Sequence, residues 1–423
     1  MRAGWAHREL LVDEPVAMAG YGFRDRRSAG QYMPLRIGAV HIADENESAW
    51  LVPLDLAWVS PAMAVEWRDR LQRELGARPE QVLFHPSHTH CGPMLDESAP
   101  MKLHPEAVEH RLRERFGETI VAVCQEARDR AADARIELVW GTSDISVNRR
   151  GPNRIANFDG MRDPSVGVMI LTSARGECVC FCHGCHPTVR GGYLLGPDFP
   201  GFARLVLEEP RPDRTAFFLQ GFEGDVRPVN LDEDGNWATH HCFIDRVASI
   251  GAQLGRDVEA ICADQPRTEL TGPVGVGMES FELPCVSQLD SPVLRAPETA
   301  NQQRWAGLLQ RMRDAGETPP GSIPLRLHAL TIGSTFALLG INGEVCTGYA
   351  HRLRETLKDR ALLCCALVDD GEAGYIPTEQ ILAEGGYEAE AHMLRGWIGP
   401  YAPGLESTIC DRAAQLVDQL TGR

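Results

Sequence analysis

Apolar and polar positions along the chain alternate between two periods. Residues 36–43 (RIGAVHIA) and 49–59 (AWLVPLDLAWV) are apolar runs of strand length, whereas Pro61–Leu75 carries apolar residues at helical spacing. That segment opens on a proline, which fits a first helical turn because the N–H it lacks would be unpaired there anyway. Residues 82–90 (VLFHPSHTH) read as a short apolar strand running into a turn at Gly92-Pro93. A long helical period covers 104–133, followed by strand-like stretches at 135–147, 165–173 and 178–182. Residues 200–209 read as a helix, and 215–220 as a buried strand followed by a loop over 221–230. An apolar strand over 335–340 precedes a helix containing 351–357. Strand and helix alternating in this way predict an α/β fold, a mixed β-sheet core covered by helices.

Residues 264–300 break the pattern. They are rich in Pro and Gly, with strand-like alternation and little helix. Candidate site residues fall on both sides of this stretch, so it reads as a link between two halves of one catalytic unit. A single domain over residues 1–423 is the expectation.

Composition narrows the function. The chain has 423 residues, 43% of them hydrophobic and 24% charged, enough for a large buried core. A net charge of −17 argues against a partner that tracks phosphate backbones, so nucleic acid is excluded and a small-molecule substrate expected. No run approaches the ~18 apolar residues of a membrane span. Residues 1–18 lack the apolar core of a secretory signal. The 13 cysteines are scattered or adjacent and do not form a disulfide framework, so reduced thiols in a cytoplasm are expected. Oligomeric state stays open, a homo-oligomer included.

Four clusters could carry chemistry. In Ser87-His88-Thr89-His90-Cys91-Gly92-Pro93, extended backbone would turn His88 and His90 to one side, which suits a metal ligand beside a general acid/base. The plainer reading is two satisfied histidines at a strand end. Cys182 to His186 matches the CxxCH spacing of covalent haem attachment, which goes with export and is rejected here. Cys178, Cys180 and Cys182 alternate as apolar fillers of one strand face would, a structural zinc knuckle being the other reading; His186 is the better ligand candidate. The loop from Gln220 to Pro228 follows a buried strand, where α/β enzymes place working groups. Glu344 is expected in the first turn of a helix, favoured by the helix dipole, where it is either a site carboxylate or an ordinary N-terminal glutamate. Other features have dull readings: Asp232 to Asn236 as an exposed turn, His240 and His241 as surface residues, Trp58, Trp67 and Trp305 as core.

In order and content these pieces resemble the neutral/alkaline ceramidase family, metal-dependent amidases that cleave the N-acyl bond of ceramide. The likeness runs from Met18-Ala-Gly-Tyr21 through Asp55, the His-Thr-His-x-Gly-Pro signature at His88 to Pro93, Asn148-Arg149 and His186. It continues with Gly224-Asp225-x-x-Pro228, Gly343-Glu344 and Gly374-Tyr375-Ile-Pro-Thr, with Tyr387 beyond. The resemblance implies zinc ligands at His88, His186, Glu344 and Tyr375, and groups around the reacting carbonyl at His90, Arg149 and Tyr387. Asp225 would orient a neighbour such as a ligand histidine. Where the family loop reads Gly-Asp-x-Ser-Pro with the serine at the metal, this chain has Arg227. No immunoglobulin-like domain of the kind that follows the catalytic region in full-length ceramidases is expected within residues 1–423.

These features lead to an expected zinc-dependent hydrolase of an amide or related acyl bond. Metal-bound water would be the nucleophile, because arginine stays protonated and cannot take the serine's place. The Arg227 fork suits a carboxylate or phosphate, so a small polar or anionic substrate is expected in place of ceramide, with Arg149 also at the substrate. Two rivals stay open: a zinc-dependent lyase or isomerase, and a non-catalytic binding protein on the same fold.

Overall fold

The computed structural model describes residues 1–96, 109–152, 155–238, 243–371 and 373–422. Strand-forming runs of the first half hydrogen-bond into one large sheet, in the order Arg214–Gln220, Gly176–His183, Ser165–Ser173, Ala132–Thr142, Arg2–Leu10, Leu35–Ala43, Ser48–Leu54, Val82–Pro86. The first pair and the last pair run parallel, and the strands between are antiparallel. A second sheet contains Val274–Pro284, Ser322–Ile332, Phe336–Ile341 and Ala361–Cys365, the last two parallel.

The sheets pack face to face. Val40, Leu51, Leu138 and Met169 of the first meet Val276, Leu330, Leu338 and Leu363 of the second in one apolar cluster. Helices Pro61–Leu75 and His110–Asp129 cover part of the first sheet's outer face, and Asp198–Glu208 with Ile244–Asp264 cover another part. Gly348–Thr356 and Leu405–Thr421 cover the second sheet. The result is a mixed α/β architecture layered helix, sheet, sheet, helix. Cys178, Cys180 and Cys182 lie on the inner face of their strand among apolar side chains, and Val179 and Phe181 on the outer face.

Local chemistry accounts for the elements read correctly. Helix Pro61–Leu75 starts where the Ser60 hydroxyl accepts from the Met63 N–H and stops at left-handed Gly76. Other expectations need correcting. Residues 264–300 are not mainly a link, because an eleven-residue edge strand of the second sheet, Val274–Pro284, runs through them. Central strand Arg2–Leu10 lies where no element was expected, and its Ala3, Gly4, Trp5 and Ala6 are all buried. Trp67 and Trp305 are core, whereas Trp58 is half-buried and lines a cavity. Asp232 to Asn236 is an exposed turn; His240 and His241 lie outside the described residues.

Each parallel pair sends the C-terminal ends of its strands toward one region. The segments leaving Pro86, His183, Gln220, Ile341 and Cys365 meet there, and the sheets are joined at that point by a Gly221–Cys365 bridge and an Ala366 N–H donated to the Gln220 carbonyl (2.9 Å). The segment after Cys365 is pinned by charge. Asp369, fully buried with φ 75°, pairs with Arg68 and accepts from His328 Nδ1 at 2.8 Å. Its own N–H reaches the Phe84 carbonyl at 3.0 Å.

Burial alone would raise the Asp369 pKa, but Arg68 and His328 outweigh it and hold the carboxyl well below its usual range. A depressed folded-state pKa adds stability that is fully present at neutral pH and lost as acid titrates the folded carboxylate. Asp369→Ala leaves Arg68 buried without its partner and is expected to cost about 3–5 kcal/mol at neutral pH. In urea unfolding the gap to wild type should shrink below about pH 4.

Candidate metal centre

His88 and His186 occupy loops just beyond strands Val82–Pro86 and Gly176–His183. His88 Nδ1 lies 2.6 Å from the Ala57 carbonyl, and His186 Nδ1 lies 2.7 and 3.0 Å from the Glu223 and Val226 carbonyls. A carbonyl only accepts, so each Nδ1 carries the proton and donates. In the neutral ring each Nε2 is then a bare lone pair. Both lone pairs face Glu344, whose Oε2 is 3.1 Å from His186 Nε2 and 3.5 Å from His88 Nε2. His88 does not reach this place on extended backbone as its spacing suggested. Its φ is 63°, a left-handed conformation uncommon outside glycine but one that histidine adopts more readily than most side chains.

Glu344 lies in a two-residue strand, Glu344–Val345, before helix Gly348–Thr356 begins, and not in the helix's first turn. The strand pairs in parallel with Tyr375–Ile376 in the register Glu344 to Tyr375, so backbone pairing puts the carboxylate and the phenol side by side. The Glu344 N–H donates to the Gly374 carbonyl at 2.7 Å, and Gly374 itself needs φ 59°.

His90 sits beside this histidine pair, with Nε2 3.3 Å from His88 Nε2 and a buried Nδ1. The Met-x-Gly-Tyr motif is its cradle. Gly20, at φ 94°, lies so close that a Cβ would come 2.5 Å from the imidazole, and the Tyr21 ring stacks edgewise at 4.9 Å. Burial first, then His88 and His186, push the His90 pKa well below its usual value, so the ring is neutral at physiological pH. The Tyr387 ring meets Tyr375 at 5.2 Å, and the Arg149 guanidinium stands 5.1 and 5.5 Å from the two ring centres. Arg149 also donates to Glu388 (2.9 Å) and the Gly224 carbonyl (2.6 Å). Arg227 lies near the Trp237 ring and donates to the Thr188 hydroxyl at 3.3 Å.

Asp225 holds neighbours, none of them a histidine. Its carboxylate accepts from the Thr347 N–H at 2.7 Å and hydroxyl at 3.2 Å, and from Asn148 Nδ2 at 3.4 Å. It braces the loop carrying Glu344, while carbonyls orient the imidazoles. Glu223 is the residue the sequence reading passed over. It is fully buried, and one of its oxygens lies within 4.8 Å of ligating atoms of His88, His186 and Glu344. The available signal was a carboxylate between Phe222 and Gly224 straight after an apolar strand.

Two cavities open on this cluster. One of about 280 Å³ has Trp58, Val59, Pro61, Leu394 and Trp397 in its wall, with His88 and Glu344 at its inner end. The other, about 420 Å³, is lined by Arg149, Arg150, Arg227 and Trp237. His90, Tyr375 and Tyr387 belong to both.

No protein-family model matches the chain, and no curated protein matches it. Solved structures do. The neutral ceramidase from Pseudomonas aeruginosa aligns with 100% of this chain and 74% of its own, with a TM-score of 0.79 at 19% identity. A ceramidase complexed with C2 aligns with 100% of this chain and 75% of its own, with a TM-score of 0.76 at 20% identity. The chain has a neutral-ceramidase-like domain. In it His88, His186, Glu344 and Tyr375 come together from four separated segments, with His90, Arg149 and Tyr387 around them. No described helix is long and apolar enough to cross a membrane.

This donor set fits a divalent ion. Burial, then Arg149, lowers the His186 pKa to about 4, so its 3.1 Å approach to Glu344 sets acceptor against acceptor near neutral pH. A cation relieves that contact; nitrogen and carboxylate ligands suit zinc among others. A divalent ion at about 100 times its dissociation constant should therefore stabilise the protein by about 2.7 kcal/mol. In thermal unfolding, a chelator should reverse the gain and His186→Ala should lose it.

Proposed function

We propose that the chain is a zinc-dependent hydrolase of an N-acyl or related acyl bond, acting on a small substrate with an anionic group. The observation that carries this reading is the convergence of two Nε2 lone pairs and the Glu344 carboxylate at the meeting point of two unlike cavities. Tyr375 completes the ligand set through its pairing with Glu344. A zinc ion held by these residues would polarise a carbonyl oxygen and lower the pKa of water.

The remaining chemistry falls to side chains. Hydrolysis adds water oxygen to the acyl carbon and breaks the bond to the leaving nitrogen, which needs a proton. His90, neutral and shared by both cavities, takes a proton from the attacking water and delivers one to the leaving nitrogen. Tyr387 donates its hydroxyl hydrogen to the developing oxyanion. Arg149 holds Tyr375 and Tyr387 in place from the guanidinium side. Arg227 stays charged in this chemistry and binds substrate: its cavity receives the anionic leaving part, and the aromatic cavity the acyl part. Segments on both sides of residues 264–300 serve this one reaction, so residues 1–423 act as a single catalytic unit.

N-acyl amino acids have this division of apolar and anionic ends and are the first panel to assay. Turnover in water enriched in heavy oxygen should put the label in the released acid; an unlabelled acid would count for a lyase or isomerase. Arg227→Ser should lower kcat/KM for the anionic substrates by about 10- to 100-fold, as expected for a lost charged hydrogen bond, and spare their uncharged amide analogues. An equal loss on both would remove Arg227 from substrate recognition.

A further inference from the structure

We infer that Glu223 is a second carboxylate ligand of the metal ion, approaching from the side closed to substrate. This assignment rests on the metal-binding reading above and adds a residue to the four that the family resemblance implies. Two independent features support it: where the carboxyl points and what it lacks.

Glu223 is 0% exposed, and one carboxylate oxygen lies within 4.8 Å of ligating atoms on His88, His186 and Glu344. Its Oε1 has no hydrogen-bond partner, and the carboxylate is otherwise met by a long contact of 3.5 Å from Gln220 Nε2 to Oε2 and by its own backbone N–H. A buried carboxylate so poorly supplied is costly unless a cation or a proton meets it. The neighbouring Glu344 carboxylate adds repulsion to that cost. One ion among the four side chains answers both carboxylates at once.

Position separates a ligand from a proton carrier. His88, Glu344 and Tyr375 line the aromatic cavity, whereas Glu223, like His186, lines neither cavity. Its backbone is engaged as well, since the Glu223 carbonyl accepts from His186 Nδ1 at 2.7 Å. Main chain and side chain of one residue therefore serve the same centre, and a side-chain substitution leaves the carbonyl in place. Two carboxylates neutralise a divalent charge and add an oxygen donor, which moves preference toward oxygen-favouring ions such as Mn²⁺ relative to a site with one carboxylate.

The test uses Glu223→Gln and Glu223→Leu beside wild type, each verified by circular dichroism. Chelator competition with Zn²⁺ and with Mn²⁺ should show affinity falling by at least about 10-fold in both variants, more for Mn²⁺. Visible bands of the cobalt-loaded protein should intensify in Glu223→Gln as coordination number drops. The metal-free variants should melt at higher temperature than metal-free wild type, because an unsupported buried carboxyl has gone. Unchanged affinity and cobalt spectrum would overturn the assignment, and so would a less stable metal-free Glu223→Leu, which would mark a purely structural side chain. Wild type that takes up no ion would instead defeat the metal reading itself, and this one with it.

Discussion

The site depends on where two protons are kept. His88 and His186 commit their Nδ1 protons to backbone carbonyls, so both Nε2 lone pairs are left facing a carboxylate. No side chain has to be tuned for this, because the accepting carbonyls of Ala57, Glu223 and Val226 belong to loops whose course the sheets fix. The tautomers are thus a property of the fold, and the fold stores electrostatic tension at one point.

That point lies where the chain can assemble it most cheaply. Parallel strands all end on the same side, so the loops after them meet without long excursions. The short parallel pairing of Glu344 with Tyr375 repeats the device on a small scale. Asp225 then locks the Glu344 loop through Thr347, and Asp369 locks the loop leading to Tyr375 through Arg68 and His328. Buried charge here positions backbone, and the backbone positions donors.

Much of this was legible in the sequence, for identifiable reasons. Helix Pro61–Leu75 announces both its ends with Ser60, Pro61 and Gly76, which act locally. The neutral-ceramidase-like fold followed from short motifs in fixed order, and the structure explains several of them: Gly20 leaves room for His90, and Asn148 reaches Asp225. What escaped was non-local. Glu344 sits in a strand because Tyr375–Ile376 arrives to pair with it, which no window around Glu344 reveals. Trp58 looks like a core residue in an apolar run, yet its side chain walls a cavity. Glu223 resembles any loop glutamate until the chain brings His88, His186 and Glu344 to it.

The Gly221–Cys365 bridge has a further consequence. His88, His186 and Glu223 hang from one sheet, Glu344 and Tyr375 from the other, so any ion they share is a rivet through the seam. Neither sheet alone has a complete set of donors. With one ion bound there, prying the layers apart would release it and gripping it would resist the prying, so that chelation and mechanical cohesion would be one equilibrium measured at two ends.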